Sequence, residues 1–591
     1  MAAAREQTRT SRLGALLPGV DQARGYRRAW LRGDVLAGVT VAAYLVPQVM
    51  AYAEVAGLPP VTGLWVIMGS LAVYALLGSS RQLSVGPEST TALMTAAAVA
   101  PLAAGDPGRY AVLAAGLALV VAALCLLAWI ARLGFLADLL SKPVLVGYLA
   151  GVAVIMVVSQ LGKITGMAVE GDGAMQEVGY VLTSLDQVHG PTLLVAVTVL
   201  AFLLVLGRLL PRAPVPLIGM LLAAVAVAVL SLEDVGVTLI GDVPQGLPRP
   251  SLPDVTVADL QTLLLPAVGV LLVGYSDNVL TARAFAGRNR YSIDANQELL
   301  ALGAANLTAG AVQGFPVSSS GSRTVIADAM GARTQLYSLV ALGGVVATLL
   351  VLGPVLAAFP TAALGALVVY AAIRLVDVAE FRRIARFRRS ELLIALTTTV
   401  AVLVLGVLYG VLAAVAVSIA DLLRRVARPH DGILGYVPGV AGMHDVDDYP
   451  QAALLPGLVV YRYDSPLFFA NAENFKRRAL DAVRTAQPPA QWFVLNVEAV
   501  VEIDVTGVDA LEEVREELEA AGVVFALARV KQDLAVDLDA AGLTARVGAD
   551  RIFFTLPTAV HAYLHWYADR HGTPPPGAEA VPPLQRPAGE G

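Results

Sequence analysis

The chain has 591 residues, of which 57% are hydrophobic and 15% charged, with a formal net charge of −6. Its mean hydropathy is +0.69. Soluble domains carry about 25% charged residues, so this balance requires lipid as solvent, and the negative charge gives no reason to expect a nucleic-acid partner. The single cysteine, Cys125, forms neither an internal disulfide nor a metal site. The histidines form no motif and no nucleophile elbow is visible, so neither an enzyme nor a cofactor is expected.

Residues 1–33 are polar and arginine-rich, with no signal-peptide core. Membrane segments are then expected at 35–55, 61–77, 87–103, 110–131, 143–161, 191–210 and 213–231. A second group follows at 261–282, 294–312, 317–331, 336–353, 361–376, 391–406 and 408–424. Spanning takes roughly 20 apolar residues. The third and tenth of these fourteen segments fall short of that.

Charge placement supports the count. With a cytoplasmic N-terminus, one set of loops holds Arg81, Arg132, Lys142, Arg208, Arg212, Arg283, Arg288, Arg290, Arg333 and a run from Arg374 to Arg389. The opposite loops hold Arg109, Lys163 and Arg249, beside acids that include Glu170, Asp172, Glu233 and Asp242. That is a positive-inside pattern, with both termini cytoplasmic.

Two breaks stand at matching places. SVGPESTTALM (84–94) opens the third segment, and GFPVSSSGSRTVIADAM (314–330) opens the tenth. Each has a proline, small hydroxyl residues and a short helical run. An odd number of spans per repeat makes the two seven-span repeats inverted, with a site between their half-helices. A proline at a helix start needs no donor partner. The free first-turn N–H groups then carry partial positive charge and cradle an anion. Ser89, Thr90, Ser318, Ser319, Ser320, Gly321 and Ser322 supply donors. The competing reading is proline kinks in packing helices, with the serines bonded back to carbonyls.

Glu88, Asp277 and Arg323 are ionisable groups inside the membrane, where each costs about 3 kcal/mol on insertion scales. Arg323 either secures the anion or pairs with Asp277 or Glu88. Asp34 and Asp328 read as solvated. A dianion entering a cell against 100 mV costs about 4.6 kcal/mol, so uptake needs accompanying cations. Asp277 is the first candidate for carrying a proton or sodium, and Glu88 the second.

PQVMAYAEVAGLPPVTGLW (47–65) resembles the first-span signature of the sulfate permease (SulP) family, as do GSSRQLSVGPES (78–89), ARAFAGRNRYSIDANQELLALGAANL (282–307) and SSSGSR (318–323), in the same order. Within that family the chain is most similar to actinobacterial sulfate transporters. The resemblance implies a mobile core and a gate, elevator-like movement, a homodimer, and an anion site to which Gln48, Tyr52, Glu88, Ser322 and Arg323 contribute. It places Asp277 at a coupling position. Trp65 replaces the usual tyrosine, and Glu88 replaces an aromatic of many animal members, which disfavours channel-like conduction.

From 427 onward the composition changes. Residues 427–455 read as a linker, 456–568 as an alternating strand–helix domain, and 569–591 as a disordered tail. Strands are expected at 458–463, 492–497, 523–528 and 552–555, with helices at about 473–485, 508–521, 531–541 and 557–567. EIDVTGVDAL (502–511) resembles the STAS loop. Val505 occupies the position of the phosphorylatable serine in related signalling domains, and Thr506 reads as a helix N-cap. Such a domain also offers a surface for a cytoplasmic protein partner.

The expected function is proton-coupled import of sulfate. A sodium-coupled bicarbonate or dicarboxylate carrier, and a membrane anion sensor signalling through the STAS domain, remain the alternatives.

Overall fold

The computed structural model describes residues 17–138, 141–168, 174–210, 213–241 and 246–583. Glu170, Asp172, Arg212, Asp242 and both chain ends lie outside the described residues. The chain divides into two compact units, Met1–Ser418 and Ile419–Gly591.

Each expected segment contains a helix. In the first group these are α1 (Leu31–Val55), α2 (Pro60–Leu77), α3 (Ser89–Ala103), α4 (Pro107–Ile130), α5 (Lys142–Val158), α6 (Gly190–Leu209) and α7 (Val215–Val229). The second group holds α8 (Val257–Asn289), α9 (Ala295–Ala311), α10 (Gly321–Ala329), α11 (Leu336–Val351) and α12 (Thr361–Leu375). A continuous helical stretch, Arg389–Ala427, is broken at Gly406, whose φ of 79° no helix accommodates. Its halves are α13 (389–405) and α14 (407–427). By length and composition, eight of the described helices are apolar and long enough to cross a membrane. α3, α7 and α11 are shorter apolar helices. α10, at nine residues, rises only about 14 Å.

Local sequence sets the starts. Asp106 caps α4 by accepting from the amides of Gly108 and Arg109, with Pro107 at the first helical position. Thr256 and Asp259 form a capping box at the head of α8. Large apolar side chains such as Leu127, Leu194 and Val404 point outward, as a lipid-facing surface requires. Inside, α9 packs on α2 and α4, α11 on α1, and α6 on α12.

Asp34 departs from its solvated reading. It is fully buried and accepts from the Arg333 and Thr334 amides and the Thr334 hydroxyl, so the carboxylate ties α1 to the start of α11. Glu54, near the far end of α1, pairs with Lys163 at 2.9 Å.

The second unit is a six-stranded sheet in the order β4 (Met443–Asp445), β3 (Asp431–Tyr436), β5 (Leu458–Tyr463), β6 (Trp492–Asn496), β7 (Val524–Ala528) and β8 (Ile552–Phe553). β5, β6, β7 and β8 run parallel. Helices α15 (Ala472–Arg484), α16 (Val505–Ala520), α17 (Gln532–Ala540) and α18 (Leu556–His571) connect and cover them. The period of two decides the faces. Val459 and Tyr461 pack with Phe475, Phe493 and Val514, whereas Leu458 and Val460 pack with Trp492, Val560 and Tyr563.

Three features differ from the sequence reading. The stretch read as a linker forms β3 (Asp431–Tyr436) and β4 (Met443–Asp445), with β3 antiparallel to β5. β3 lies between β4 and β5, but its two glycines break the alternation, and β4 at the edge has only three residues, so neither gives a clear hydrophobic periodicity. The stretch read as a tail continues α18 to His571 and buries Val581 against the sheet's second core. The cap of α16 is Asp504, which accepts from the Gly507 amide, so Thr506 sits inside the first turn.

Candidate functional site

Both breaks are strand-like before they become helices. β1 (Val85–Gly86) pairs antiparallel with β2 (Ser318–Ser319), with Val85 opposite Ser319 and Gly86 opposite Ser318. The Ser320 amide adds a bond to the Ser84 carbonyl at 2.8 Å. This corrects the role given to the prolines. Pro87 and Pro316 stand before the helix caps, not at the first helical position, because the backbone must stay extended to pair. The caps are Glu88 for α3 and Ser320 for α10, and neither side chain caps its own helix. Two sets of first-turn N–H groups therefore emerge uncapped from one crossing.

Arg323 fastens the crossing. It is fully buried. Its Nε donates to Ser84 Oγ at 3.1 Å, and its Nη1 donates to the Pro87 carbonyl at 3.0 Å and to Gln48 Oε1 at 3.2 Å. Among the described residues it makes no direct ion pair with Glu88 or Asp277; its partners are neutral. Among the described residues its Nη2 is buried without a partner, as is Glu88 Oε2. Gly86 makes room: a Cβ there would stand 2.0 Å from Ile67 Cδ1 and 3.4 Å from Arg323 Nη2.

The remaining candidates gather around this core. Gln48 Nε2 donates to Tyr52 Oη at 3.1 Å and to Ser322 Oγ at 3.2 Å. Ser320 and Ser322 hydroxyls lie 3.2 Å apart. Ser89 Oγ donates to Glu88 Oε1 at 3.0 Å. Ser319 Oγ donates to Asp277 Oδ2 at 2.6 Å, which joins α8 to the second break. Gly274, one turn before Asp277, permits that approach, since a Cβ there would stand 3.3 Å from Ser318 Cβ. Thr90 and Ser318 are buried in the same entries. Gly321 is exposed, and a Cβ on it would meet nothing within 4 Å.

Sequence reasoning missed Ser84, the Pro87 carbonyl and Thr324, whose hydroxyl accepts from the Ser84 amide. Ser84 and Pro87 sit inside the first break, but nothing in a sequence shows which backbone atoms another segment will use. Glu298 was also missed. It is fully buried and accepts from Tyr74, Ser79, Ser80 and Asn278, locking α2, α8 and α9 around the first break's approach.

A family model described as the sulfate permease family matches residues 31–398, and a STAS domain model matches 449–559. The chain belongs to the sulfate permease family. A probable sulfate transporter of Mycobacterium tuberculosis is 62% identical over 546 residues, covering 92% of this chain and 98% of that relative. Chloroplastic sulfate transporter 4.1 of Arabidopsis thaliana is 30% identical over 573 residues, covering 94% and 83%. Among solved structures, murine Solute Carrier 26 family member A9, an anion transporter in the inward-facing state, shares the fold with a TM-score of 0.85 at 22% identity, over 95% of this chain and 96% of that one. The transmembrane domain of the cyanobacterial bicarbonate transporter BicA gives 0.59 at 23% identity, over 66% and 98%. This sulfate permease family member is thus a multi-pass membrane protein with a C-terminal STAS domain.

Proposed function

We propose that this protein imports sulfate, or a small oxyanion of like charge, across the cell membrane by alternating access coupled to protons. The observation that carries the reading is the meeting of two uncapped helix ends at one crossing, with a buried guanidinium and carboxylate each holding one unpaired atom there. Such ends favour an anion through aligned backbone dipoles. The Ser89, Ser320 and Ser322 hydroxyls and Gln48 complete a donor shell, with Tyr52 orienting Gln48. Relatives named as sulfate transporters favour sulfate among small anions.

Asp277 is the coupling acid and Glu88 the second. Asp277 reaches Ser319 in the second break, so its charge state bears on the geometry that holds the anion. A proton on it offsets part of the cost of moving a dianion into a negative interior. The core that carries both breaks moves against the remaining helices, and the protein works as a dimer with both termini cytoplasmic.

The test is radiolabelled sulfate uptake into proteoliposomes under an inward proton gradient without sodium. Proton-driven accumulation supports the reading. Uptake that needs sodium and prefers bicarbonate or dicarboxylates replaces it with the sodium-coupled alternative. Anion binding without flux of any anion replaces it with a sensor.

A further inference from the structure

A second basic group lies against the same site. α1 carries Tyr44, Gln48 and Tyr52 at successive four-residue steps, so all three lie on one face. Gln48 belongs to the crossing described above. Tyr44, one turn toward the start of α1, lines a cavity of about 70 Å³ with Ser322, Val215, Pro216, Tyr370 and Arg374. Ser322 belongs to both places: it accepts from Gln48 and also lines this cavity. The cavity is large enough for several waters, and it shares Ser322 with the candidate site.

Arg374 is the one charged residue in that lining. Its Nη1 donates to Tyr370 Oη at 2.8 Å, and its guanidinium lies 5.6 Å from the centre of that ring. Tyr370 is buried, so the tyrosine fixes the arginine one turn further along α12. A guanidinium has five N–H donors. Among the described residues no carboxylate pairs with this one. Arg374 is exposed, as is Arg383 of the neighbouring basic helix Val378–Phe387, but Arg383 pairs with Glu380 at 2.9 Å, whereas Arg374 is held by a tyrosine. Positive charge on the arginine-rich side accounts for such residues, but it does not account for an arginine held by a tyrosine in a cavity that reaches Ser322.

We infer that Arg374 is a second anion contact, a staging position at which its guanidinium and the Tyr44 and Ser322 hydroxyls hold the anion between the crossing and the solution on the arginine-rich side. This rests on the transport reading and adds to it a route. The planar fork suits a tetrahedral oxyanion, which it binds through two parallel bonds. Being partly open to solvent, it holds the anion weakly enough to release it, as multi-site conduction requires.

The test uses the full chain carrying Cys125→Ala, which removes the only other thiol. Sulfate–sulfate exchange in proteoliposomes and equilibrium sulfate binding in detergent are compared for Arg374→Gln, Arg374→Lys, Arg374→Cys and Tyr370→Phe. Arg374→Gln is expected to slow exchange at low sulfate about tenfold, the lower end for charge-assisted bonds. Its equilibrium binding is expected to fall less than exchange does, because among the described residues Arg374 makes no contact with Gln48 or Arg323 in the crossing. Lysine should restore part of the rate, and Tyr370→Phe should lower it less than glutamine does. Arg374→Cys should regain exchange after reaction with a cationic aminoethyl methanethiosulfonate, not with the neutral methyl reagent, and sulfate should slow that labelling. Unchanged exchange in Arg374→Gln, or equal rescue by the neutral reagent, overturns the inference and leaves transport standing. Absence of sulfate binding and exchange in the unmutated protein overturns the sulfate reading instead. Protection of Arg374→Cys is then measured with bicarbonate, chloride and dicarboxylates: protection by one of them upholds the staging position for that anion, and protection by none overturns it.

Discussion

Arg323 of α10 donates to the carbonyl oxygen of Pro87, at the opposite break, across 3.0 Å. One side chain thereby ties two segments more than two hundred residues apart in sequence, and it does so through a backbone carbonyl just ahead of the α3 cap. The first prediction follows. Arg323→Gln should lower sulfate transport at least tenfold, since each hydrogen bond to a charged group contributes about 1.5–3 kcal/mol. Arg323→Lys should recover little of it, because an ammonium cannot reach Ser84, Gln48 and Pro87 together. Flux in proteoliposomes, with thermal unfolding as a control for folding, checks both.

Asp277→Asn keeps a partner for Ser319 but removes the charge. It should abolish proton-driven accumulation while leaving sulfate counterflow measurable. Glu88→Gln should weaken sulfate binding as well as coupling, because Glu88 stands at the head of α3 itself. Equal loss of counterflow and accumulation in Asp277→Asn would remove the coupling role.

Gly86→Ala should impair transport, because the added methyl meets Ile67 Cδ1. Overpacking of this kind costs about 1–3 kcal/mol. Ile67→Val deletes that methyl, so the double variant should recover stability and flux. Failure of the double variant to recover either would place the constraint in the β1 backbone, not in packing.

Glu54 and Lys163 form an ion pair between α1 and the short helix after α5. Lys163→Glu should destabilise the protein, and adding Glu54→Lys should restore it, with a coupling energy of about 0.5–1.5 kcal/mol in a double-mutant cycle. The readout is the midpoint of thermal unfolding in detergent.

In the second unit, Arg515 pairs with Glu512 at 2.7 Å and holds that carboxyl below the usual carboxylate range. A depressed folded-state pKa stabilises above the unfolded value and is lost as pH falls through the folded one. The pair should therefore support the domain at neutral pH and cease to do so in acid, below about pH 4. Arg515→Gln should lower stability at pH 7 more than at pH 3, as measured by urea unfolding of the full chain.

The sequence by itself located a helix in each of the fourteen expected segments and the four parallel strands of the second unit, but not the helices Ala174–Thr183 and Val378–Phe387 between segments. Apolar runs and period-two alternation depend only on neighbours along the chain. It also marked both breaks, because proline followed by small hydroxyl residues is a local signal. The strands β3 and β4 and the Asp504 cap were not legible, since β3 is interrupted by two glycines, β4 has only three residues, and both gain their order from the sheet beside them. Asp34 read as solvated for the same kind of reason: its partners, Arg333 and Thr334, lie some three hundred residues away.

The register of the crossing was decided by tertiary structure alone. Sequence named Gln48, Ser322 and Arg323 as candidates, but which atoms they offer each other depends on how two distant segments pair. The same holds for Arg374 and Tyr370, which read as loop charge and helix until folding set them beside Ser322. A hydrogen bond is fixed by distance and angle over a few ångströms, and for groups far apart along the chain only the folded backbone supplies those.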